Sequence, residues 1–242
     1  MLGRDRPRMK CAFMWILLSA STLLAQQQAA IEITAEPHHH LLLENESVRV
    51  FAVTIPPREG TELTRHDHNF LVVTLQDSEI ASWAEGEAGV LTYRFRANDI
   101  HFFFGGRARA MRNDTSSQYH NLTVEFLNPE VTTYGYQSNT RRWQYGGNTL
   151  LPPVDPRAKF ANRMPLGDAV VKDVQLLPGD ELPKPAEGIA QVLIALSDLQ
   201  LSSGKEKIQE EIGGVAWIPA DRAEKLVNKG TQPARFVVVE LQ

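Results

Sequence analysis

The sequence predicts an all-β protein made of two similar units. Its 242 residues contain many short runs rich in Val, Ile, Thr and Phe, and Pro, Gly, Asn or Asp turns separate them at roughly ten-residue intervals. This pattern is typical of β-sandwiches and β-barrels. Helical periodicity is scarce, and the chain repeats itself once along its length.

An internal repeat relates the two halves of the chain. Two hydrophobic segments recur at an offset of 121 residues and three later groups recur at an offset of 115, which indicates a duplicated unit. The matched pairs are Val48–Pro57 with Ala169–Pro178, Leu71–Asp77 with Val192–Asp198, Arg107-Ala108 with Arg222-Ala223, Asn113 with Asn228, and Val124-Glu125 with Val239-Glu240. The offset changes between Ile80 and Phe102, so we expect a shorter loop there in the second copy.

The first 25 residues have the pattern of a secretory signal peptide. Basic residues at positions 4, 6, 8 and 10 precede an apolar run from Cys11 to Ala25. That run is short for a bilayer-spanning helix of roughly 20 residues, although an uncleaved anchor is the alternative. We expect cleavage after Ala25, a secreted or periplasmic protein, and no stable membrane anchor after cleavage.

Charge and cysteine content exclude several classes of function. Without residues 1–25 the formal net charge changes from −4 to −7, because 21 Lys and Arg remain against 28 Asp and Glu. A surface of that sign repels phosphate backbones, so we expect no nucleic-acid partner. The single cysteine, Cys11, lies in the signal segment and leaves no disulfide. The sequence also has no Ser-His-Asp elbow, glycine-rich phosphate loop or zinc-type cysteine spacing.

The repeat divides the mature chain into a first unit at 36–128, a connector at 129–165 and a second unit at 166–242. The connector is rich in Pro and Gly and holds four aromatic residues, which are Tyr134, Tyr136, Trp143 and Tyr145. Free linkers are poor in aromatic residues, so we expect these side chains to pack onto a barrel surface.

A pair of histidines is the main candidate for a functional site. His66 and His68 are one residue apart, and side chains on a strand alternate, so both would point to the same side and could share one metal ion. Phe70 and Val72 would lie on that same face. The tract from His38 to His40 cannot face one ion as a whole, and we interpret it as a solvated strand edge.

Two motifs of the first unit resemble the cupin signature. Gly60, five residues and then His66-Asp67-His68 is similar to its first half, and Phe104–Asn113 occupies the place of its second half. The resemblance implies two tandem cupin barrels, a bicupin. It also implies a divalent metal, commonly Mn, Fe, Ni or Zn, held in each barrel by three histidines and a glutamate. The family includes dioxygenases, oxalate-degrading enzymes, sugar isomerases and non-catalytic binding proteins.

The chain departs from this signature at two of the four ligand positions. Arg109 stands where the third histidine is expected, and Val72 stands where the glutamate is expected. A guanidinium stays protonated and offers only donors, so it cannot ligate a cation. In the second copy the four corresponding positions are Glu187, Ile189, Glu224 and Leu193, which favours a structural role for that degenerate barrel.

Three interpretations of the first barrel follow. In one, a divalent transition metal binds His66 and His68 with His120 or His101 as an extra ligand. In another, a metal-free pocket lined by Phe70 and Val72 holds an anionic ligand on Arg109. In the third, the histidines are structural.

We therefore expect an exported bicupin with a small-molecule pocket that is non-catalytic or weakly metal-binding. The alternative is a metal-dependent cupin enzyme, of the oxygenase or isomerase type, that acts on a small organic acid or sugar. Neither interpretation decides whether the protein forms a homodimer.

Overall fold

The structure is a computed structural model that describes residues 29–132 and 160–242. Regular structure in these residues is β, apart from one turn of 3-10 helix at Ile33–Ala35, so the all-β prediction is confirmed. Among the described residues no helix is long and apolar enough to cross a membrane. The predicted signal peptide and the four connector aromatics lie outside the described residues.

The first half of the chain forms two five-stranded sheets that enclose a barrel. One sheet has the strand order β1-β4-β9-β6-β7 and the other has the order β2-β3-β10-β5-β8. The strands are β1 Ile31–Glu32, β2 His39–Glu44, β3 Val48–Ile55, β4 Thr64–His66, β5 Phe70–Thr74, β6 Ser78–Ala84, β7 Leu91–Phe95, β8 Ile100–Phe103, β9 Arg107–Arg112 and β10 Tyr119–Phe126.

The second half repeats this arrangement. Its sheets have the orders β11-β12-β19-β14-β17 and β13-β18-β15-β16, which correspond strand by strand to the first half without β1. The strands are β11 Phe160–Leu166, β12 Ala169–Leu176, β13 Glu181–Leu182, β14 Ala190–Ala195, β15 Leu199–Ser203, β16 Glu206–Glu210, β17 Val215–Ile218, β18 Leu226–Asn228 and β19 Ala234–Leu241. β11 pairs along its length with β12, although most of it falls within the range that the sequence assigns to the connector.

The length difference between the two copies lies in one hairpin, as the change of offset predicts. Residues 85–90 join β6 to β7, whereas only Gly204 and Lys205 join β15 to β16. Gly204 has a positive φ of 57°, which a glycine adopts without steric cost and which tight hairpin turns require.

Asn113 and Asn228 hold equivalent turns in the two barrels. The side-chain amide of Asn113 donates to the carbonyl of Ile55 at 3.0 Å, and that of Asn228 donates to the carbonyl of Leu176 at 3.0 Å. Each side-chain oxygen also accepts a hydrogen bond from a backbone N–H two residues later. The signature asparagine is therefore a structural residue, and its duplication reflects the same local requirement in both barrels.

Alternation along the strands gives each barrel its own interior and the pair a shared core. On β3, Phe51 and Val53 point into the first barrel while Val48 and Val50 point away from it. The outward-facing residues of β3, β5, β8 and β10 pack against those of β12, β14 and β19 in one buried cluster. β5 and β14 are consequently buried on both faces, which explains their nearly continuous hydrophobic sequences.

Candidate functional site

A cavity that is partly open to solvent lies inside the first barrel. Its walls are largely aromatic and aliphatic, with a few polar groups, as in many small-molecule sites. The lining residues are His39, Thr61, Thr64, His66, Phe70, Val72, Ile80, Ser82, Tyr93, Phe95, Phe103, Arg109, Met111, Tyr119, Asn121 and Thr123. The interior of the second barrel is instead filled by a cluster of apolar side chains that includes Leu176, Leu193 and Phe236.

His66, at the end of β4, is held by a buried carboxylate on β10. Its Nδ1 lies 3.1 Å from Oε1 of Glu125, which has no exposed surface. The other oxygen of Glu125 lies 2.7 Å from Nη2 of Arg49, the residue opposite it on β3. Glu125 therefore fixes the orientation of the His66 ring and is itself neutralised by a cation.

These contacts shift the ionisation of both groups. Burial lowers the pKa of His66, and the positive charges of His39 and Arg109 act in the same direction against an opposing effect of Glu125. Burial by itself would raise the pKa of Glu125, but the hydrogen bond from His66 and the charges of His66, Arg49 and His68 lower it below its ordinary value. The lowered pKa keeps Glu125 ionised, and burial disfavours the charged form of His66.

His39 forms a second imidazole–carboxylate pair in the same barrel. Its Nδ1 lies 2.5 Å from Oε2 of Glu36, and His38 Nδ1 lies 2.9 Å from the other oxygen. Burial opposes ionisation of Glu36, but the hydrogen bonds from His39 and His38 prevail and lower its pKa from 4.5 to about 2. The prediction of a solvated histidine edge is wrong for His39, which is only 6% exposed, because alternation on β2 turns it inward and leaves His40 outside.

The two pairs meet at one side of the cavity. The rings of His39 and His66 lie 6.0 Å apart between centroids, in an edge-to-face arrangement. Both Nδ1 atoms are engaged by carboxylates, and neither Nε2 has a hydrogen-bond partner within the described part of the chain. Two oriented imidazoles therefore offer their second nitrogen to whatever occupies the cavity.

Arg109, on β9, borders the same cavity. It is half-buried, and its Nε is buried without a hydrogen-bond partner. Among the described residues no carboxylate forms an ion pair with its guanidinium, whereas its exposed neighbour Arg107 pairs with Glu87. The guanidinium in this pocket therefore has no carboxylate partner among residues 29–132 and 160–242.

Aromatic rings line the wall next to His66. Phe70 stacks on His66 with 4.2 Å between ring centroids, and Phe103 stacks on Phe70 at 5.2 Å. Tyr93 meets Phe103 edge-on at 6.2 Å. Val72 lines the cavity beyond Phe70, as alternation along β5 predicts. This wall is therefore a run of mutually packed aromatic rings.

His68 does not join His66 in the cavity lining. The prediction treats residues 66–74 as one strand, but β4 ends at His66 in one sheet and β5 begins at Phe70 in the other. The chain turns a corner there: Gly106 N–H donates to the His66 carbonyl at 2.7 Å, and Gly105 N–H donates to the Asn69 side chain at 3.0 Å. The two histidines therefore do not lie on one continuous strand, which the argument from alternation assumes.

The two candidate extra ligands lie apart from the cavity lining. His120 is on the face of β10 that packs against the second barrel, where its Cε1 is 4.0 Å from the position of a Cβ on Gly213. His101 faces the barrel interior but packs edge-on against Phe95 at 4.9 Å between centroids, with its Nε2 3.7 Å from Asp99. Neither histidine is among the residues that border the cavity.

The donor set of this barrel does not fit the metal site that the cupin signature implies. Two of the four ligand positions are Arg109 and Val72, and His68 is not among the residues that line the cavity. Within residues 29–132 and 160–242 no three His, Cys, Asp or Glu side chains are grouped so that they could hold a metal ion. A guanidinium at the cavity wall would in addition repel a dication.

Comparison with solved structures identifies the architecture. AerE from Microcystis aeruginosa superposes with a TM-score of 0.59 at 14% identity, over 86% of this chain and 98% of that protein. A cupin 2 conserved barrel domain protein from Leptotrichia buccalis gives 0.54 at 10% identity, over 84% and 88% of the two chains. The chain has a cupin fold.

The predicted resemblance is therefore confirmed at the level of the fold. Another protein with this fold, salicylate 1,2-dioxygenase from Pseudoaminobacter salicylatoxidans in complex with gentisate, gives a TM-score of 0.58 at 14% identity, over 84% of this chain and 73% of that one. A scan against models of protein families finds no match, and a search of curated proteins finds no similar sequence.

Sequence reasoning missed three residues of this cupin-fold site: Glu36, His39 and Glu125. A signal was present for Glu125, because a charged residue inside the apolar strand Leu122–Phe126 requires a partner, and Arg49 occupies the matching position on β3. Glu36 and His39 carry no such signal, since their contact depends on the turn between the 3-10 helix and β2.

Proposed function

We propose that the first cupin barrel binds a small organic carboxylate and that the second barrel is a structural support. The observation that carries the proposal is the guanidinium of Arg109, which borders the cavity without an ion-pair partner in the described part of the chain. A partly desolvated cation is stabilised by an anion, and a carboxylate can accept two parallel hydrogen bonds from its planar fork.

The two buried carboxylates of the barrel are paired with other groups and do not neutralise Arg109. Glu36 is engaged by His38 and His39, and Glu125 is engaged by His66 and Arg49. A ligand carboxylate on Arg109 would complete the charge balance of the cavity, while the Nε2 atoms of the histidines could orient its polar groups.

The aromatic wall indicates the rest of the ligand. Phe70 and Phe103 line the cavity with apolar ring surface, against which a planar group could pack edge-on or by its face. An aryl carboxylate would place its ring there and its charge at Arg109. The gentisate bound to the dioxygenase of the same fold is an aromatic acid of this kind, which supports the choice of aryl carboxylates as first probes.

The test is calorimetric titration with 3-phenylpropionate and its neutral amide, 3-phenylpropanamide. We expect the acid to bind and the amide to bind at least about tenfold more weakly, since a hydrogen-bonded charge contributes roughly 1.5–3 kcal/mol. Arg109→Gln should remove this discrimination. Arg107→Gln, on the same strand but outside the cavity, is the matched control and should retain it. Equal affinity for acid and amide would reject the proposal.

Export is part of the same proposal. The basic residues and the apolar run of residues 1–25 support secretion or delivery to the periplasm. The mass of the protein recovered from the exported fraction tests this, because cleavage near Ala25 removes a defined segment. A full-length mass in that fraction would favour the uncleaved anchor.

A metal-dependent enzyme is the second candidate. It is favoured by one feature, the carboxylate-bound Nδ1 of His66 and His39, because metal-ligating histidines commonly donate their other N–H in this way. Metal analysis of protein purified without a histidine tag decides the matter. If the wild-type protein holds close to one transition metal per chain and His66→Ala loses it, the metal-dependent enzyme replaces the metal-free binding protein as the proposed function.

A further inference from the structure

Strand β10 turns three polar side chains toward the cavity of the first barrel. Tyr119, Asn121 and Thr123 alternate along the strand, line the cavity and are buried; they are called the polar row below. The Tyr119 hydroxyl is hydrogen-bonded to the Asn121 side chain, and the Thr123 hydroxyl donates to the Asn121 side-chain oxygen at 3.0 Å. Burying polar groups in a barrel interior is costly unless each is hydrogen-bonded, so the row requires an explanation.

The second barrel has apolar residues at the same three positions. The offset of 115 aligns the polar row with Ala234, Phe236 and Val238 on β19. The register of β19 on β12 matches that of β10 on β3, so the alignment holds in the structure. All three residues belong to the apolar cluster that fills the second barrel. The barrel fold itself therefore does not require polar side chains here, and the row accompanies the barrel that has the cavity.

Thr123 can accept a further hydrogen bond. Its proton is committed to Asn121, whereas a hydroxyl oxygen has two lone pairs. On the strands and loops that the structure describes, no donor bonds to this oxygen. Because Thr123 borders the cavity, a donor on a ligand can reach it. A neutral hydroxyl fits better than an ammonium group, because both buried carboxylates of the barrel are already paired.

We propose that the ligand of the first barrel is a hydroxyaryl carboxylate whose hydroxyl group donates a hydrogen bond to Thr123. The inference rests on the proposed function, because Arg109 binds the carboxylate of the same ligand. Arg109 lies on β9 in one sheet and Thr123 lies on β10 in the other, and facing sheets are about 10 Å apart. The carboxylate and the hydroxyl group therefore occupy opposite ends of the ligand, with the aryl ring between them.

Three acids that differ only at the 4-position of the ring test this assignment: 3-phenylpropionate, 3-(4-hydroxyphenyl)propionate and 3-(4-methylphenyl)propionate. A methyl group is close to a hydroxyl group in size but cannot donate a hydrogen bond. In calorimetric titration of the wild-type protein, we expect the hydroxy acid to bind about tenfold more tightly than the methyl acid, because the methyl group leaves a buried acceptor unpaired. Equal or tighter binding of the methyl acid would overturn the proposal, and the row would then hold only solvent.

Substitutions at Thr123 locate the effect. Thr123→Val keeps the shape of the side chain but removes its oxygen, so the preference for the hydroxy acid over the methyl acid should disappear while 3-phenylpropionate still binds. Thr123→Ser keeps the acceptor and should retain the preference. Thr92→Val, at an exposed position of β7, is the matched control and should behave as wild type. An unchanged preference in Thr123→Val would reject Thr123 as the acceptor.

The same titrations separate this inference from the proposed function. If 3-phenylpropionate binds but the 4-hydroxyl group brings no preference, the hydroxyl assignment fails and the carboxylate function stands. If none of the three acids binds, both fail. If Thr123→Val does not fold, the two substituted acids still decide the matter on the wild-type protein, because that comparison needs no variant.

Discussion

The carboxylate of Glu125 joins the two sheets of the first barrel through His66, because Nδ1 of that imidazole lies 3.1 Å from Oε1. His66 belongs to the sheet that contains β4, whereas Glu125 and its other partner, Arg49, belong to the sheet that contains β3 and β10. A single buried carboxylate thus contacts both the ring that borders the cavity and a cation behind it. The contact that positions His66 at the cavity therefore also links the two sheets of the barrel.

Glu125→Ala should destabilise the protein strongly. It leaves Arg49 and the Nδ1–H of His66 without their partner, and removing one member of a buried ion pair costs roughly 3–5 kcal/mol. Urea denaturation measures the change in the free energy of unfolding. Glu87→Ala, which breaks an exposed pair with Arg107, is the control and should cost at most about 1 kcal/mol. Equal losses in the two variants would contradict the structural role assigned to Glu125.

Glu36 should make the protein sensitive to acid in a defined window. Its pKa is lowered from 4.5 to about 2 in the folded protein, so its contribution to stability is present above pH 4.5 and is lost as the pH falls from 4.5 toward 2. A shift of that size corresponds to about 3 kcal/mol. The difference in unfolding free energy between wild type and Glu36→Gln, measured by urea denaturation, should be largest near neutral pH and shrink over this window. Parallel stability curves for the two proteins would show that Glu36 is not responsible.

Asn113→Asp and Asn228→Asp should destabilise the two barrels to a similar degree. Each substitution replaces an amide donor with a carboxylate that faces buried backbone carbonyls, which costs roughly 1–3 kcal/mol for the lost hydrogen bonds. Thermal unfolding measures the effect. Asn98→Asp, at a loop position with a positive φ of 70°, keeps a residue type that tolerates this conformation and should change stability by at most about 0.5 kcal/mol. A large effect at only one of the two matched asparagines would contradict their equivalence.

The shared core should make the two barrels unfold together. Leu193 points into the second barrel and is 1% exposed, so Leu193→Ala should cost roughly 2–5 kcal/mol. Because β5 and β14 pack in one cluster across the barrels, hydrogen exchange should quicken in both strands of the variant. Mass spectrometry of peptides that cover Phe70–Thr74 and Ala190–Ala195 measures this. Faster exchange confined to β14 would show that the barrels unfold independently.

Much of the fold could be predicted from local sequence signals. The repeat at offsets of 121 and 115 places equivalent strands in the two halves, and the turn at Gly204 explains the shorter second copy. Alternation on β5 places Phe70 and Val72 in the cavity, and the matched motifs bring Arg109 to the same cavity. The strand and turn predictions depend on local properties, whereas the position of Arg109 follows from the resemblance to the cupin signature.

The grouping of the imidazoles could not be predicted in the same way. Alternation predicts that His66 and His68 face one point, but the corner at residues 67–69 moves the chain from one sheet to the other. His39, from a tract that looked solvated, takes the place beside His66 instead. Whether an individual histidine points inward depends on where a strand starts. The Gly105–Asn69 contact at the corner joins residues that are distant in sequence.

The sequence by itself determined the all-β class and the duplication, because these follow from short-range periodicity and from matched segments. The resemblance to the cupin signature placed Arg109 and Val72 at two of its ligand positions. Only the tertiary structure decided that His39 meets His66 and that Glu36 and Glu125 hold them. His39, His66 and Glu125 lie on separate strands, and a contact such as that between His66 and Glu125 forms only when the two sheets close around the cavity.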